Sequence, residues 1–370
     1  MNTKYAIVVA IVAIAIILGS VAAYIYLSQP SASTPSITLQ GAGATFPYPL
    51  LNAIITKYST DVKPNVQVNY QSIGSGGGIS AMHDKTVDFG ASDAPLSATD
   101  TANVPNALHI PETVGAVTVA YNLPDLSSGL HLTGQVLADI FEGKIILWND
   151  PAIQTLNPTT ALPTQAIRTV HRSDGSGTTF IFTSYLSASS ASWNNSIGQG
   201  KSVSWPVGTG SNGNTGVAST VNGTQYSIGY VELAYVLQNG MTVASIQNPT
   251  GNWIQPSLES TQLAVQSGAS SGLPAGDASW TKVSLLNAPD ANAYPIVSFT
   301  YLLSYKELNV IPGMTQAKAT ALVEFLWYVV HDGQDLAPGL SYAKLPSNIV
   351  QIDETTIKSI TFNGQQLQTT

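Results

Sequence analysis

The chain of 370 residues is long enough for two or three domains with hydrophobic cores of their own. Only 9% of its residues are charged, and 13 Lys plus Arg against 21 Asp plus Glu give a formal net charge of −8. This balance excludes nucleic acid as a partner, since nucleic-acid binding needs Lys/Arg patches, and 44% hydrophobic residues exclude a disordered chain. The absence of cysteine excludes disulfides, thiolate metal sites and cysteine nucleophiles.

An uncharged apolar segment, residues 6–27, follows Lys4 near the amino terminus. As a helix it would be about 33 Å long, enough to cross a bilayer, and the preceding positive charge predicts that the rest of the chain lies outside the cytoplasm. A cleaved signal peptide is the alternative, but its apolar region usually has about 7 to 15 residues, which favours a retained anchor. Residues 1–36, which end in a Ser/Pro-rich tether, are therefore predicted to be an anchor or signal segment.

Three predicted strands each run through a glycine-rich loop into a helical pattern. The strands are expected at residues 37–39, 66–70 and 167–172. A strand at 87–93 ends in a polar loop, and another at 114–121 is apolar enough to be buried on both faces. Strands that alternate with helices predict an α/β architecture with largely parallel sheets.

Two later segments have a composition typical of loops. Residues 187–223 and 262–276 are rich in Ser, Asn, Gly and Ala, and we expect both to lie at the surface without regular structure. The second glycine loop is expected to precede a helix that begins near Ile79.

The three glycine loops carry the groups that bind anions. A Gly/Ser/Thr loop before a helix offers backbone N–H groups, hydroxyl donors and the positive end of the helix dipole. Ligands of open α/β sheets lie beyond the carboxyl ends of the strands, so the loops are expected to converge on one small oxyanion. Arg172, one of two arginines in the chain, lies in the third loop and is suited to a bidentate grip. Any one such loop, taken alone, is better interpreted as only a turn.

Four segments resemble the signature segments of the extracytoplasmic phosphate-binding proteins that feed ABC-type phosphate importers. They are GAGATFP at 41–47, IGSGGG at 73–78, DFGASDAPL at 88–96 and RSDGSGT at 172–178. The resemblance runs in the same order from about Ile37 to at least Tyr305. It implies a two-lobed α/β fold like that of type II periplasmic binding proteins, with a ligand cleft between the lobes, here preceded by a transmembrane helix. Lobe I would comprise residues 37–115 and 297–370, and lobe II residues 116–296.

The resemblance also implies a set of phosphate contacts. Carried over by motif position, the phosphate-binding residues are Thr45, Phe46, Ser75, Asp93, Arg172, Ser176, Gly177 and Thr178. Asp174 would hold Arg172 in place. The implied function is capture of inorganic phosphate outside the cell and its delivery to the permease subunits of an ABC importer, with the chain attached to the membrane by its amino-terminal helix. No covalent chemistry, cofactor or metal is needed.

Asp93 has a physical rationale of its own. A carboxylate beside a bound anion is repulsive unless the anion supplies a proton, and phosphate near neutral pH still has at least one. Sulfate has none, so it would leave Asp93 as an unpaired acceptor next to another negative charge. Asp93 is therefore expected to reject sulfate. For an isolated Asp before Ala-Pro, capping of the following turn would be the simpler interpretation.

Other functions need features that the sequence lacks or places poorly. One alternative is a binding protein of the same class for another tetrahedral oxyanion, such as arsenate or sulfate. The other is a surface phosphatase or phosphotransferase, which would need a metal cluster or an activated nucleophile. The five histidines show no metal-ligand spacing, and His171 is expected to pack against its surroundings although it neighbours Arg172. The GASSG segment at 268–272 matches a hydrolase nucleophile pattern without a preceding strand. A sensory or adhesive surface protein is a third class that could share the same domain.

Overall fold

The computed structural model describes residues 36–269 and 272–368 and, nearer the amino terminus, four single positions, Tyr5, Val9, Ala15 and Ser20. The predicted transmembrane segment, residues 6–27, therefore lies outside the described residues apart from three of those positions. In the part of the chain that is described, no helix combines the length and apolarity needed to span a bilayer. The chain divides after Ser36, and the folded domain begins at Ile37.

The first part of the domain alternates strands and helices as predicted. Its elements are β1 (Ile37–Gly43), α1 (Tyr48–Lys57, extended by a π-helical turn Tyr58–Val62), β2 (Val66–Ser72), α2 (Ser75–His83), β3 (Phe89–Ser92), α3 (Ala98–Asn103) and β4 (Ala107–Asn122). Pro49 lies in the first turn of α1, where its missing N–H is not needed. Every residue of β4 except Asn122 is buried, which confirms the predicted burial of both faces.

The middle of the chain adds a second group of strands and helices. These are β5 (His131–Leu132), α4 (Gly134–Phe141), α5 (Pro151–Leu156), β6 (Arg168–Arg172), α6 (Gly177–Ser189), α7 (Ala191–Ser196), β7 (Thr209–Ser211), α8 (Gly213–Gly223), β8 (Ser227–Glu232) and α9 (Leu233–Gln238).

The remaining elements return to the first group. They are β9 (Thr242–Val243), β10 (Ser245–Gln247), β11 (Trp253–Ile254), α10 (Leu258–Gly268), β12 (Val297–Tyr305), α11 (Gln316–Val330), α12 (Ser347–Lys358), β13 (Thr361–Phe362) and β14 (Gln365–Gln366), with 3₁₀ turns at Leu308–Val310, Asp332–Leu336 and Pro338–Leu340.

The two segments predicted as loops contain regular structure, so that prediction was wrong. Residues 187–223 include α7, β7 and α8, and residues 262–276 begin inside α10. Tertiary burial overrides the poor helix propensity of these segments, since α8 buries Val217, Ala218 and Val221. Serine caps assist: Ser257 and Ser260 form a reciprocal capping box at the start of α10.

The helix expected to begin near Ile79 begins four residues earlier, at Ser75. Its first turn is made of the glycines of the second loop, so the loop is itself the amino-terminal end of α2. The consequence for the site is that the Ser75 hydroxyl lies at a helix start.

Most strands join one nine-stranded sheet in the order β2-β1-β3-β12-β4-β8-β6-β7, with β9 paired to β4. At one end β1 is parallel to β2 and β3, and at the other β6 is parallel to β7 and β8. The two central strands differ, because β12 is antiparallel to β3 and β4, and β4 is antiparallel to β8. The predicted parallel pairing thus holds at both ends of the sheet but not at its centre.

The long strand β4 connects the two ends of the sheet. Its first part pairs with β12 as far as Ala116, and from Val117 onward it pairs with β8. The pairing with β12 contains a bulge: Thr300 faces Thr113 while Tyr301 faces Pro111. Glu112 is the extra residue on β4 at this bulge. The result is the expected two-lobed α/β arrangement, with the strand ends of both lobes directed at a common cleft.

The carboxyl group of Asp353, in α12, is buried and lacks hydrogen-bond partners among the described residues. It is 0% exposed, and within the described chain neither of its oxygens has a hydrogen-bond partner. Burial raises the pKa of Asp353 well above its ordinary value of 3.8. The folded protein therefore holds this carboxyl in its neutral form at pH values where the unfolded chain has ionised it.

This difference gives a pH-dependent stability. Because the folded state binds the extra proton, the free energy of unfolding should fall as pH rises from about 4 towards the raised pKa. Asp353→Asn removes the titration, so we expect it to be more stable than wild type by roughly 1 to 3 kcal/mol near pH 8 and nearly equal near pH 4. Urea unfolding at both pH values measures this, with the exposed Asp332→Asn as control; an equal effect of Asp353→Asn at both values would contradict it.

Candidate anion site

The ends of parallel strands bring the predicted loops together in two groups. Gly43 at the end of β1 pairs with Ser72 of β2 and with Ala91 of β3. On the other side of the cleft, Arg172 at the end of β6 pairs with Ser211 of β7. The loops that follow these strands therefore project from the same edge of the sheet, where ligands of α/β proteins bind.

The two groups of loops contact each other directly. The Ser75 hydroxyl oxygen accepts hydrogen bonds from the N–H of Gly177 at 3.0 Å and from the N–H of Asp93 at 3.2 Å. The N–H of Gly76 donates to the carbonyl oxygen of Gly175 at 2.8 Å. Ser75 is 0% exposed. The cleft is therefore closed, with the second and third glycine loops in hydrogen-bonding contact.

Arg172 is a buried cation held by a fork of two hydrogen bonds. Its side chain is 1% exposed, and Nε donates to Asp174 Oδ1 at 2.7 Å while Nη2 donates to Asp174 Oδ2. Asp174 Oδ1 also accepts from the N–H of Gly213 at 3.1 Å. Burial acts to raise the pKa of Asp174, but the hydrogen bonds and charge of Arg172 outweigh it and lower that pKa below its ordinary value. Asp174 therefore pairs with Arg172 through both carboxylate oxygens, and its role in orienting the cation for an anion stays a prediction.

The start of α6 places two hydroxyls in the cleft. Ser176 caps the helix, because its Oγ accepts from the N–H of Thr179 at 3.0 Å. The Thr178 hydroxyl lies 3.4 Å from Arg172 Nη1 and donates to Asp93 Oδ2 across 3.4 Å. Since both hydroxyl residues are fully buried, the positive end of the α6 dipole faces a water-poor cleft.

Asn214, in the first turn of α8, joins the two sides and was missed by the sequence analysis. Its Nδ2 donates to Thr45 Oγ1 at 2.8 Å and to Thr178 Oγ1 at 3.1 Å, and its backbone N–H also reaches Thr45 Oγ1 at 3.2 Å. Its Oδ1 accepts from the N–H of Glu232 at 3.0 Å, which fixes the orientation of the amide. The signal was present in the sequence as a fourth glycine-rich run before Val217, but that run was interpreted as a surface loop.

Two tyrosines hold the first loop. Tyr235 donates to the carbonyl oxygen of Thr45 at 2.5 Å, and Tyr342 donates to that of Phe46 at 2.7 Å. Thr45 and Phe46 are both buried. Tyr235 and Tyr342, which no motif indicated, therefore fix the backbone of this loop.

Asp93 lies between the two sides with its carboxyl buried. Thr300 of β12 donates to Asp93 Oδ1 at 3.0 Å, and Thr178 approaches the other oxygen. Burial raises the pKa of Asp93 to about 7, against the opposing effects of the Thr300 hydrogen bond and the Arg172 charge. Its protonation state therefore changes near neutral pH, which no sequence pattern predicted.

Two further buried acids lie behind the cleft. Glu232 caps α9 through the N–H of Ala234 at 2.8 Å and contacts the Tyr342 hydroxyl at 2.9 Å, while its Oε1 has no partner in the described chain. Burial raises the pKa of Glu232 well above its ordinary value. Glu112 lies near Thr300, with its Oε1 3.3 Å from the hydroxyl oxygen. Glu112 lies in β4 and Glu232 at the end of β8, and the sequence analysis assigned neither acid to the site.

An ion pair joins the two sides near the third loop. Lys201 Nζ lies 2.5 Å from Asp100 Oδ2, and both side chains are mostly buried. The carbonyl oxygen of Lys201 accepts from the N–H of Ser176 at 2.8 Å. The same residue therefore supports the anion loop through its backbone and contacts the opposite side through its side chain.

The histidines show no metal site. His171 stacks on Trp205 with ring centroids 4.8 Å apart, which confirms the expected packing role. Over residues 36–269 and 272–368, no three His, Cys, Asp or Glu side chains are grouped in a way that could hold a metal ion.

The eight predicted contact residues and Asp174 thus lie in one connected cluster. Their contact with an anion stays a prediction. The cluster combines one paired cation, hydroxyl donors, helix starts and a titratable carboxyl, which is the equipment for holding a small protonated oxyanion.

Comparison with known proteins gives consistent relatives. The chain matches the PBP superfamily domain over residues 29–332. The phosphate-binding protein PstS of Xylella fastidiosa (strain Temecula1) is 44% identical over 333 residues, which cover 88% of this chain and 86% of that protein. The phosphate-binding protein PstS of Methanocaldococcus jannaschii is 38% identical over 354 residues, covering 90% of this chain and 89% of that protein.

A solved structure shares the fold. The periplasmic phosphate-binding protein PfluDING, bound with phosphate, superposes with a TM-score of 0.66 over 86% of this chain and 93% of that chain, at 19% sequence identity. At that identity the likeness concerns the fold alone.

Gly177 offers a steric test of the closed cleft. A Cβ at this position would lie 2.5 Å from Asp93 Cβ and 2.6 Å from both Asp93 Oδ2 and Ser75 Oγ, so Gly177→Ala cannot close without displacing them. We expect it to weaken phosphate binding by roughly 100-fold, equivalent to about 2.7 kcal/mol, in isothermal titration calorimetry. Gly223→Ala, whose Cβ would meet nothing within 4 Å, should bind as wild type does. Unchanged affinity in Gly177→Ala would contradict the packing of these loops around the anion.

Proposed function

The chain belongs to the PstS family of phosphate-binding proteins within the PBP superfamily, and from this membership we infer that it binds inorganic phosphate outside the cytoplasm for an ABC-type phosphate importer. The function predicted from the four sequence motifs is thereby confirmed, and so is the prediction of a binding protein rather than an enzyme. The single observation that supports it best is the buried Arg172, which is fixed by Asp174 and lies 3.4 Å from the Thr178 hydroxyl at the start of α6.

We assign the phosphate contacts to the eight residues predicted from the motifs. Five would donate: the hydroxyls of Thr45, Ser75 and Ser176, the backbone N–H of Phe46 and the guanidinium of Arg172. Gly177 would line the cleft with its N–H bonded to Ser75 Oγ, and the Thr178 hydroxyl would turn from Asp93 towards the anion. The hydrogen bonds of the cluster support this assignment. Ser75 Oγ and Thr45 Oγ1 each accept two N–H bonds, so their lone pairs are used and the hydroxyl proton remains for an anion. Asn214 would thus make Thr45 a donor.

Asp93 would supply selectivity for a protonated anion. As a carboxylate it accepts a hydrogen bond, which phosphate can give and sulfate cannot. Arsenate shares the charge and protons of phosphate, so Asp93 gives no reason to exclude it. The alternative of a sulfate-binding paralogue would need a neutral group at this position.

Closure of two lobes would enclose the anion. We assign lobe I to residues 37–115 and 297–370 and lobe II to residues 116–296, as predicted from the sequence, and the change of β4 from pairing with β12 to pairing with β8 after Ala116 supports the division. Opening would separate Ser75 from Gly177 and Lys201 from Asp100. A phosphate bound to both lobes favours the closed state as far as its contacts differ between the two states. The permease subunits would then receive the loaded, closed form.

Attachment to the membrane is proposed from the sequence alone. Residues 6–27 would be the anchor, and residues 28–36 the Ser/Pro-rich tether to the domain. We expect the full chain to sediment with membranes and a variant that lacks residues 6–27 not to do so. Fractionation of expressing cells measures this; release of the full chain by proteolysis just after the segment would favour a cleaved signal instead.

The choice between phosphate and sulfate tests both the function and Asp93. Wild type should bind phosphate in calorimetry, and absence of binding would overturn the proposed function. Asp93→Asn replaces an acceptor by a neutral group that can donate, so we expect the ratio of phosphate to sulfate affinity to fall by roughly 10- to 100-fold, about 1.4 to 2.7 kcal/mol. Because the pKa of Asp93 is raised to about 7, wild-type discrimination should also decrease as pH falls below that value. The exposed Asp125→Asn is the control, and an unchanged ratio in Asp93→Asn would show that this carboxyl does not select the anion.

A further inference from the structure

The β4 bulge brings a second carboxyl to the back of Asp93. A regular strand alternates its side chains between the two faces of the sheet, and an extra residue changes that alternation locally. Here the extra residue is Glu112, opposite the step from Thr300 to Tyr301. Its carboxyl lies within hydrogen-bonding distance of the Thr300 hydroxyl, which also contacts Asp93. Glu112 is only 2% exposed.

A single hydroxyl lies between the two carboxyls. Thr300 Oγ1 is 3.0 Å from Asp93 Oδ1 and 3.3 Å from Glu112 Oε1, and Thr300 is 0% exposed. A hydroxyl has only one proton, so Thr300 can donate fully to only one of these oxygens. Two carboxylates on either side of it would leave one acceptor unsatisfied and two like charges buried together. One of the two acids must therefore hold a proton.

The surroundings of the two acids are not equivalent. Arg172 and the Thr178 hydroxyl both stabilise a negative charge on Asp93. Among the described residues no cation stabilises a charge on Glu112, and the charge of Asp93 acts against its ionisation. The shorter hydrogen bond of Thr300 also goes to Asp93. Each comparison places the proton on Glu112.

We propose that Glu112 holds this proton and donates it to Thr300 Oγ1, so that Thr300 donates to Asp93 and Asp93 stays an ionised acceptor for the proton of bound phosphate. Glu112 is thus a positioning residue, acting through Thr300, that sets the pH range of anion binding. The inference rests on the proposed function, since it assumes that Asp93 faces phosphate.

The pKa values of Glu112 and Asp93 agree with a proton on Glu112. Burial, followed by the charge of Asp93, raises the pKa of Glu112 to about 8, above that of Asp93. The other ionisable groups that interact with the pair are Arg172, Asp174, Glu232, Tyr70, Tyr235 and Tyr342. Arg172 is the one cation of that set, and it is already paired with Asp174. When Glu112 loses its proton to solvent above about pH 8, Thr300 is shared by two carboxylates and the cleft gains a negative charge, so phosphate affinity falls.

Glu112→Gln tests this directly, because Gln keeps the shape of Glu and can donate to Thr300 but does not titrate. The measurement is the phosphate dissociation constant of wild type divided by that of the variant, by calorimetry between about pH 6 and pH 9.5. The titration of phosphate itself is common to both proteins and cancels in this quotient. We expect the quotient to be near one at pH 6 to 7 and to rise roughly tenfold by pH 9.5, about the effect of one pKa unit.

Glu112→Met, of similar length but apolar, provides a second neutral variant in case Gln disturbs folding. It should bind more weakly at all pH values, because Thr300 loses its donor, but should likewise lack the alkaline loss. Asp353→Asn is the matched control, since it removes a buried carboxyl outside this cluster and should follow wild type across the range.

The outcomes separate the two proposals. A quotient that stays constant with pH for both neutral variants would show that Glu112 has only a structural role, and a quotient that falls as pH rises would place the proton on Asp93. Either result overturns the inference while phosphate binding by wild type still supports the proposed function. Failure of wild type to bind phosphate at any pH would instead overturn the proposed function.

Discussion

The buried cation Arg172 constrains everything around it. A guanidinium with a side chain 1% exposed must be paired, and Asp174 does so through two hydrogen bonds. The pair has no net charge, so an incoming anion meets a fixed dipole rather than an excess of positive charge. Binding then depends on donors such as the Ser75 and Thr45 hydroxyls, whose lone pairs are already occupied by N–H groups. These donors are specific in direction, which is how a neutral cleft can be selective.

The same scarcity of positive charge decides whether the buried acids near the cleft are protonated or ionised. In the closed cleft Asp93, Glu112 and Glu232 are all buried, and one paired arginine cannot compensate three carboxylates. At Glu232 the hydrogen-bond count leads to the same conclusion: Tyr342 gives its one proton to the Phe46 carbonyl at 2.7 Å, so the contact of 2.9 Å with Glu232 needs a proton from the acid. In the closed cleft the three acids therefore favour their protonated forms.

The motifs predicted the part of the site that local sequence encodes. Glycine-rich loops after strands have a local signature, and they contain Asp174 and seven of the eight proposed contacts, while Asp93 lies in the polar loop after β3. Asn214 was not predicted, because its segment was interpreted as a surface loop from its composition. Val217 and Val221 are nevertheless buried, and they hold the helix α8 against the core. Thr300 and Glu112 could not have been found in this way. Thr300 is 207 positions from Asp93 in the sequence, and the bulge at Glu112 arises only when β4 pairs with β12. Such features depend on tertiary pairing, which no local pattern encodes.

The low charge content of 9% also bears on how the stability of the fold depends on pH. Four of the 21 Asp and Glu side chains, Asp93, Glu112, Glu232 and Asp353, are buried with raised pKa values. All four have raised pKa values, principally through burial, so the folded state holds more protons than the unfolded chain between about pH 4 and pH 7. The contribution of these four carboxyls to stability therefore increases as pH falls through this range, opposed by His109, whose pKa burial lowers to about 4. The acids that tune anion selection would in this way also make the domain resistant to acid.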